Sequence, residues 1–82
     1  MSTNVTAHMP GTITEILVKV GDQVQVEDEL IILEAMKIEQ TIRTTINGIV
    51  EAVLVQTGQV VAPGQTLVQI GNEEKTDGSN RT

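Results

Sequence analysis

The chain repeats itself. Residues 11–24 read GTITEILVKVGDQV and residues 48–61 read GIVEAVLVQTGQVV, at a constant offset of 37. Over the 23 aligned positions 11–33 there are six identities: Gly11/Gly48, Leu17/Leu54, Val18/Val55, Gly21/Gly58, Val24/Val61 and Leu30/Leu67. Apolar exchanges at Ile13/Val50, Ile16/Val53, Ile31/Val68 and Leu33/Ile70 extend the match. A chain of 82 residues has room for one core. A duplication inside it therefore implies two like halves closing on the same core.

Each half reads as strand. Ile16, Val18 and Val20 alternate, as do Val53, Val55 and Thr57, which is the two-residue period of an extended chain. Upstream, Ile13 to Ile16 and Val50 to Val53 are three apart, so both halves predict a bulge or a change of face at the same place. Gly21-Asp22, Gly58-Gln59 and Pro63-Gly64 mark turns. Val, Ile and Thr supply 31 of 82 residues and there is no aromatic ring, so a small-residue aliphatic core is required. That suits two thin sheets face to face or a flattened barrel, an all-β fold with an approximate two-fold axis. The predicted strands are 4–8, 12–19, 24–26, 30–34, 38–44, 49–56, 60–61 and 66–70. Residues 1–3 read as a flexible N-terminus, 4–71 as the folded body, and 72–82, entirely without apolar residues, as a disordered polar tail.

The composition also limits the chemistry. With no Cys and one histidine, His8, there is no thiolate nucleophile, disulfide framework or histidine-based metal site. His8 reads as a structural or solvated residue away from any site. Glu27-Asp28-Glu29 reads as a solvated loop. A net charge of −6 argues against nucleic acid or an anionic membrane as partner. No apolar run reaches the roughly 20 residues of a membrane span and no secretory signal is present, so the expected compartment is cytoplasmic.

Residues 34–47 have no counterpart in the repeat. They begin Glu34-Ala35-Met36-Lys37-Ile38-Glu39, strong helix formers, and Ile31, Ala35, Ile38, Ile42 and Ile46 trace a helical stripe. Two features defeat the helix. Residues 30–33 align with the strand-like Leu67–Ile70, and residues 41–46 are almost all β-branched. A strand enters and a strand leaves, so EAMK holds the turn although it lacks the Gly, Asn, Asp or Pro that turns prefer. A local rule set aside in this way marks a functional position, with Lys37 at the tip.

With Gly11, Gly21-Asp22 and Gly48 at these spacings, EAMKIE resembles the biotinyl domain, the carboxyl carrier of biotin-dependent carboxylases and decarboxylases. The resemblance covers residues 7–70. It implies a barrel-sandwich of two four-stranded antiparallel sheets, with biotin joined covalently to Lys37 and with Ala35, Met36 and Ile38 as the recognised turn. Glu34 and Glu39 flank the lysine as possible guides for a partner or as simple solubilising charges. The implied role is a non-catalytic carrier that shuttles carboxylate between a biotin carboxylase and a carboxyltransferase after a biotin-protein ligase has loaded it. Three features depart from the family pattern. His8 stands where proline is common, Glu27 replaces a turn glycine kept in the second half as Gly64, and there is no thumb insertion near residues 19–26. A left-handed Glu27 would cost roughly 1–2 kcal/mol unless Asp28 takes that position. Two rivals stand beside this reading. A lipoyl carrier is similar in fold but has Asp before the lysine and Ala after it, and an unmodified adaptor would have no need of the turn. The resemblance leaves open the carboxyl acceptor and whether the unit is a free-standing subunit or a C-terminal domain.

Overall fold

A computed structural model describes residues 2–72 of the chain. It is all-β, with eight strands: β1 Ser2–Thr6, β2 Gly11–Ile16, β3 Gln23–Val24, β4 Glu29–Ala35, β5 Ile38–Arg43, β6 Gly48–Val53, β7 Val60–Val61 and β8 Thr66–Asn72. They form two antiparallel four-stranded sheets, ordered β1-β8-β6-β3 and β5-β4-β2-β7. The strand orders correspond one to one under the offset of 37, with β2, β3 and β4 falling on β6, β7 and β8.

The same offset also relates β1 to β5. Glu34 pairs with Glu39 in one sheet, and Gly71 pairs with Ser2 in the other. Two expectations are thereby corrected. The segment 34–47 does have a counterpart, which is the N-terminal strand. Ser2 and Thr3 are not loose: they pair with Gly71 and Ile70, and Ser2 Oγ donates to Glu51 Oε1 at 2.6 Å. The match was faint because β1 and β5 are edge strands with exposed polar side chains, sharing the single apolar pair Val5/Ile42. Asn72 ends β8, while the remainder of the expected tail, 73–82, lies outside the described residues, as does Met1.

The bulges fall where the pattern places them. Register shifts between Ile13 and Glu15 in β2, and between Val50 and Ala52 in β6. β2 and β6 end at Ile16 and Val53, three residues short of the predicted spans. Beyond those ends Leu17 N–H still donates to Leu30 O and Leu54 N–H to Leu67 O, 2.9 and 2.8 Å. Single bonds of this kind keep the chain extended without a continuous ladder.

Ile13, Leu30, Ile31, Leu33, Val50, Leu67, Val68 and Ile70 form the fully buried centre, half from each repeat. Thr44 is the one buried polar residue among those described; its hydroxyl donates to Ile46 O at 2.8 Å. Its symmetry mate is Ala7, also buried.

Candidate functional site at the β4–β5 turn

β4 and β5 form a hairpin in which Ala35 pairs with Ile38, Glu34 with Glu39 and Leu33 with Gln40. Only Met36 and Lys37 connect the strands, and both have left-handed backbones, with φ of 53° and 66°. Two left-handed central residues are what a tight hairpin needs to follow the right-handed twist of its strands. Glycine or asparagine adopts that conformation at little cost. Methionine and lysine each oppose it by about 1–2 kcal/mol.

The fold gains nothing from those side chains in return. Met36 is 94% exposed and Lys37 is exposed, with no ion pair to Lys37 among the described residues. Ala35 is buried and Leu33 wholly so, which anchors the base of the hairpin in the core. Ile38 is 60% exposed although it pairs with Ala35, because the tip reaches past the core. The structure thus brings Ala35, Met36, Lys37 and Ile38 together at one projecting end, with Ala35 as an internal anchor and not as part of the exposed surface.

Glu34 and Glu39 are both exposed and lie directly opposite one another on neighbouring strands. Like charges in that relation repel, so this pair also costs the fold something. The register continues the row across the sheet, Glu39–Glu34–Thr12–Val60, ending on a 73% exposed valine. Thr12 and Val60 escape a reading of sequence alone, because they lie 25 and 23 residues from Lys37 and meet Glu34 only through strand pairing. Gly11 permits the close approach behind the turn. A Cβ there would stand 2.5 Å from Glu34 O.

The other singled-out residues lie elsewhere. His8 lines a shallow groove with Asn4, Val5, Thr6, Ile42, Arg43 and Thr45, between the edge strands β1 and β5. Ile42 is five residues along β5 from Lys37, about 16 Å in an extended strand. Glu27 does adopt the left-handed conformation, φ 80°, matching Gly64 at 85°. Glu29 is drawn to Arg43, with 3.3 Å between Oε2 and Nη2. No group of three or more His, Cys, Asp or Glu among the described residues is placed to hold a metal ion.

Lys37 thus stands exposed at the tip of the hairpin, in a left-handed conformation that costs the fold. Comparison with known proteins shows the family. A family described as "Biotin-requiring enzyme" matches residues 1–70. The chain belongs to this family. It is 42% identical over 71 residues to pyruvate carboxylase of Staphylococcus aureus, covering 87% of this chain and 6% of that protein. It is 48% identical over 64 residues to the biotin carboxyl carrier protein of Streptococcus mutans, covering 78% of this chain and 49% of the relative. A dihydrolipoyllysine-residue acetyltransferase component from Mycoplasma genitalium is 35% identical over 66 residues, 80% of this chain and 17% of that one. Among solved structures, a single-chain, multi-domain long-chain acyl-CoA carboxylase superposes with a TM-score of 0.83 at 27% identity, over 89% of this chain and 7% of the other. The chain therefore spans at most about half the length of these relatives.

Proposed function

We propose that this chain is the biotin carboxyl carrier of a biotin-dependent carboxylase, with biotin attached as an amide to Lys37 Nζ. The observation that carries the reading is the turn. Met36-Lys37 occupies two left-handed positions at the exposed end of a hairpin, where neither residue serves the fold. The relatives named for biotin, together with Met36 before and Ile38 after the lysine, favour biotin over lipoate.

The residues present suit that group. Amide formation removes the lysine charge, and since Lys37 is exposed and forms no ion pair among the described residues, no buried partner there is left uncompensated. When bound, biotin supplies a ring nitrogen that takes up and gives up carboxylate. The chain's own contribution is positional. Ala35 and Leu33 fix the hairpin to the core, Gly11 lets β2 pass close behind Glu34, and Lys37 is left clear of the body for a partner to reach. Tethering of this kind raises the effective concentration of the carried group at each partner's active site. Glu34 and Glu39 offer negative charge to partners with basic rims.

The partners in this reading are a biotin-protein ligase, a biotin carboxylase and a carboxyltransferase. The chain itself is the carrier and not the catalyst. The cytoplasm, where ATP serves both the ligase and the carboxylase, is the compartment that fits. Intact mass after co-expression with a biotin ligase, followed by peptide mapping, tests the assignment. One biotin on Lys37 is expected, and none on Lys37→Arg, which should unfold at the same temperature as the parent. Biotin retained by Lys37→Arg would refute the site. Label from a lipoate ligase instead would refute the cofactor.

A further inference from the structure

The sequence contains no Cys, Trp or Tyr, so a peroxide reaching this protein meets no thiol, indole or phenol. The oxidisable sulfurs are three methionines. Met9 packs against the core. Met36, by contrast, is 94% exposed and directly precedes Lys37 in the turn.

We infer that Met36 is a reversible oxidation site, and that its sulfoxide blocks the loading of biotin onto Lys37. The inference rests on the carrier reading above. In the step itself a lone pair on Sδ attacks one oxygen of a hydroperoxide. The O–O bond breaks as the S–O bond forms, and a proton moves from the transferred oxygen to the departing one, which leaves as water or an alcohol. Sulfur loses two electrons and the peroxide gains them. Methionine sulfoxide reductase reverses the change.

The block follows from where the sulfur stands. At 94% exposure Met36 is buried by essentially nothing of its own chain, so a protein that draws Lys37 into an active site covers the Met36 side chain from outside. On the other side of the lysine it meets Ile38, 60% exposed, so the surface it must match flanks Lys37 with two apolar side chains. A sulfoxide puts a strong acceptor into that surface, where a site shaped for a thioether has no donor for it. The left-handed backbone at Met36, φ 53°, belongs to a two-residue turn closed by the Ala35–Ile38 pair and leaves the side chain no route back to the core.

The experiment treats the full apo chain with dilute hydrogen peroxide and maps the added oxygen by mass. Biotin attachment is then followed with purified biotin ligase, ATP and biotin, before and after methionine sulfoxide reductase. Met36 should oxidise ahead of Met9. The ligase kcat/KM should fall about tenfold or more, as expected for an unpaired polar group forced into an apolar contact, and the reductase should restore it. Met36→Leu, whatever its own rate of loading, should show the same rate before and after peroxide. An oxidised chain labelled at the untreated rate would overturn the inference, as would a Met36→Leu chain that loses labelling on oxidation. Should Met36→Leu accept no biotin at all, recovery of the oxidised parent by the reductase decides alone. If the reduced parent takes no biotin, the carrier reading has failed and this inference falls with it.

Discussion

Met36 and Lys37 set their own backbone preference aside. Each holds a left-handed conformation that opposes it by about 1–2 kcal/mol, and neither recovers that by burial. The turn can therefore be improved for stability at the expense of its role. Replacing Met36 by Asn and Lys37 by Gly installs the dipeptide that two-residue hairpins favour. The double variant should gain about 1–2 kcal/mol in urea denaturation, and it should accept no biotin. A loss of stability would mean that Met36 or Lys37 supports the fold through contacts absent from this structure. Residue-level reading of the sequence located this turn, since four consecutive helix formers between two strands leave no other place for it. It could not say that Ala35, beside that exposed turn, points inward. That division depends on the pairing of Ala35 with Ile38 and on where the core ends.

Among the elements, the turns show how two diverged halves keep one geometry. Lys19 N–H donates to Asp22 Oδ2 at 2.9 Å, and Gln56 N–H donates to Gln59 Oε1 at 3.0 Å in the matching turn. Gln25 N–H to Asp28 Oδ2 and Ala62 N–H to Gln65 Oε1 repeat the device. Within that second pair of turns the central residues differ. Val26 N–H is satisfied by Asn47 Oδ1 at 2.9 Å, and Arg43 Nη1 donates to Glu27 O at 3.1 Å. The second half places Pro63 at the position of Val26, so no donor needs a partner, and Pro10 and Thr6 stand in place of Asn47 and Arg43. The left-handed Glu27 is thus held by side chains that its glycine counterpart does without.

Asp22 adds a dependence on pH to its turn. Its carboxyl is held below the ordinary value, chiefly by the Lys19 backbone N–H and, against some desolvation, by the Lys19 ammonium 3.3 Å away. A depressed carboxylate contributes stability above its unfolded pKa and loses it as pH falls through the folded value. The stability difference between the parent and Asp22→Asn, measured by urea denaturation, should therefore be constant near neutrality and shrink below about pH 4. A difference independent of pH would show that the charge is not what matters at this turn. The matching Gln59 carries no charge, so the second turn gives no such response.

At the scale of the whole molecule, the two-fold relation extends to the core and to the two ends. Leu30 and Leu67 are equivalent, and both are wholly buried. Truncating either to Ala should cost about 2–5 kcal/mol, with the two values agreeing within about 1 kcal/mol. Chemical denaturation of the two variants checks this, and a clear inequality would mean that one sheet carries the core. The symmetry also separates the ends. The Met36-Lys37 turn closes one sheet just beyond the Glu34–Glu39 pair, and the equivalent Gly71–Ser2 pair stands in the other sheet, where the chain enters and leaves.

The sequence by itself determined the duplication, the all-β class, the paired bulges at residues 13–15 and 50–52, and the lysine-bearing turn. These are local signals, periodicity and turn chemistry, and they repeat at a fixed offset. The tertiary structure decided what depends on pairing between strands far apart in the chain. It gave the N-terminal Ser2–Thr6 a place beside β8, set Glu34 opposite Glu39, and brought Thr12 and Val60 into line with them. Edge strands such as β1 and β5 carry mostly polar residues and leave little hydrophobic pattern to read, so their positions become visible only once the sheets are assembled.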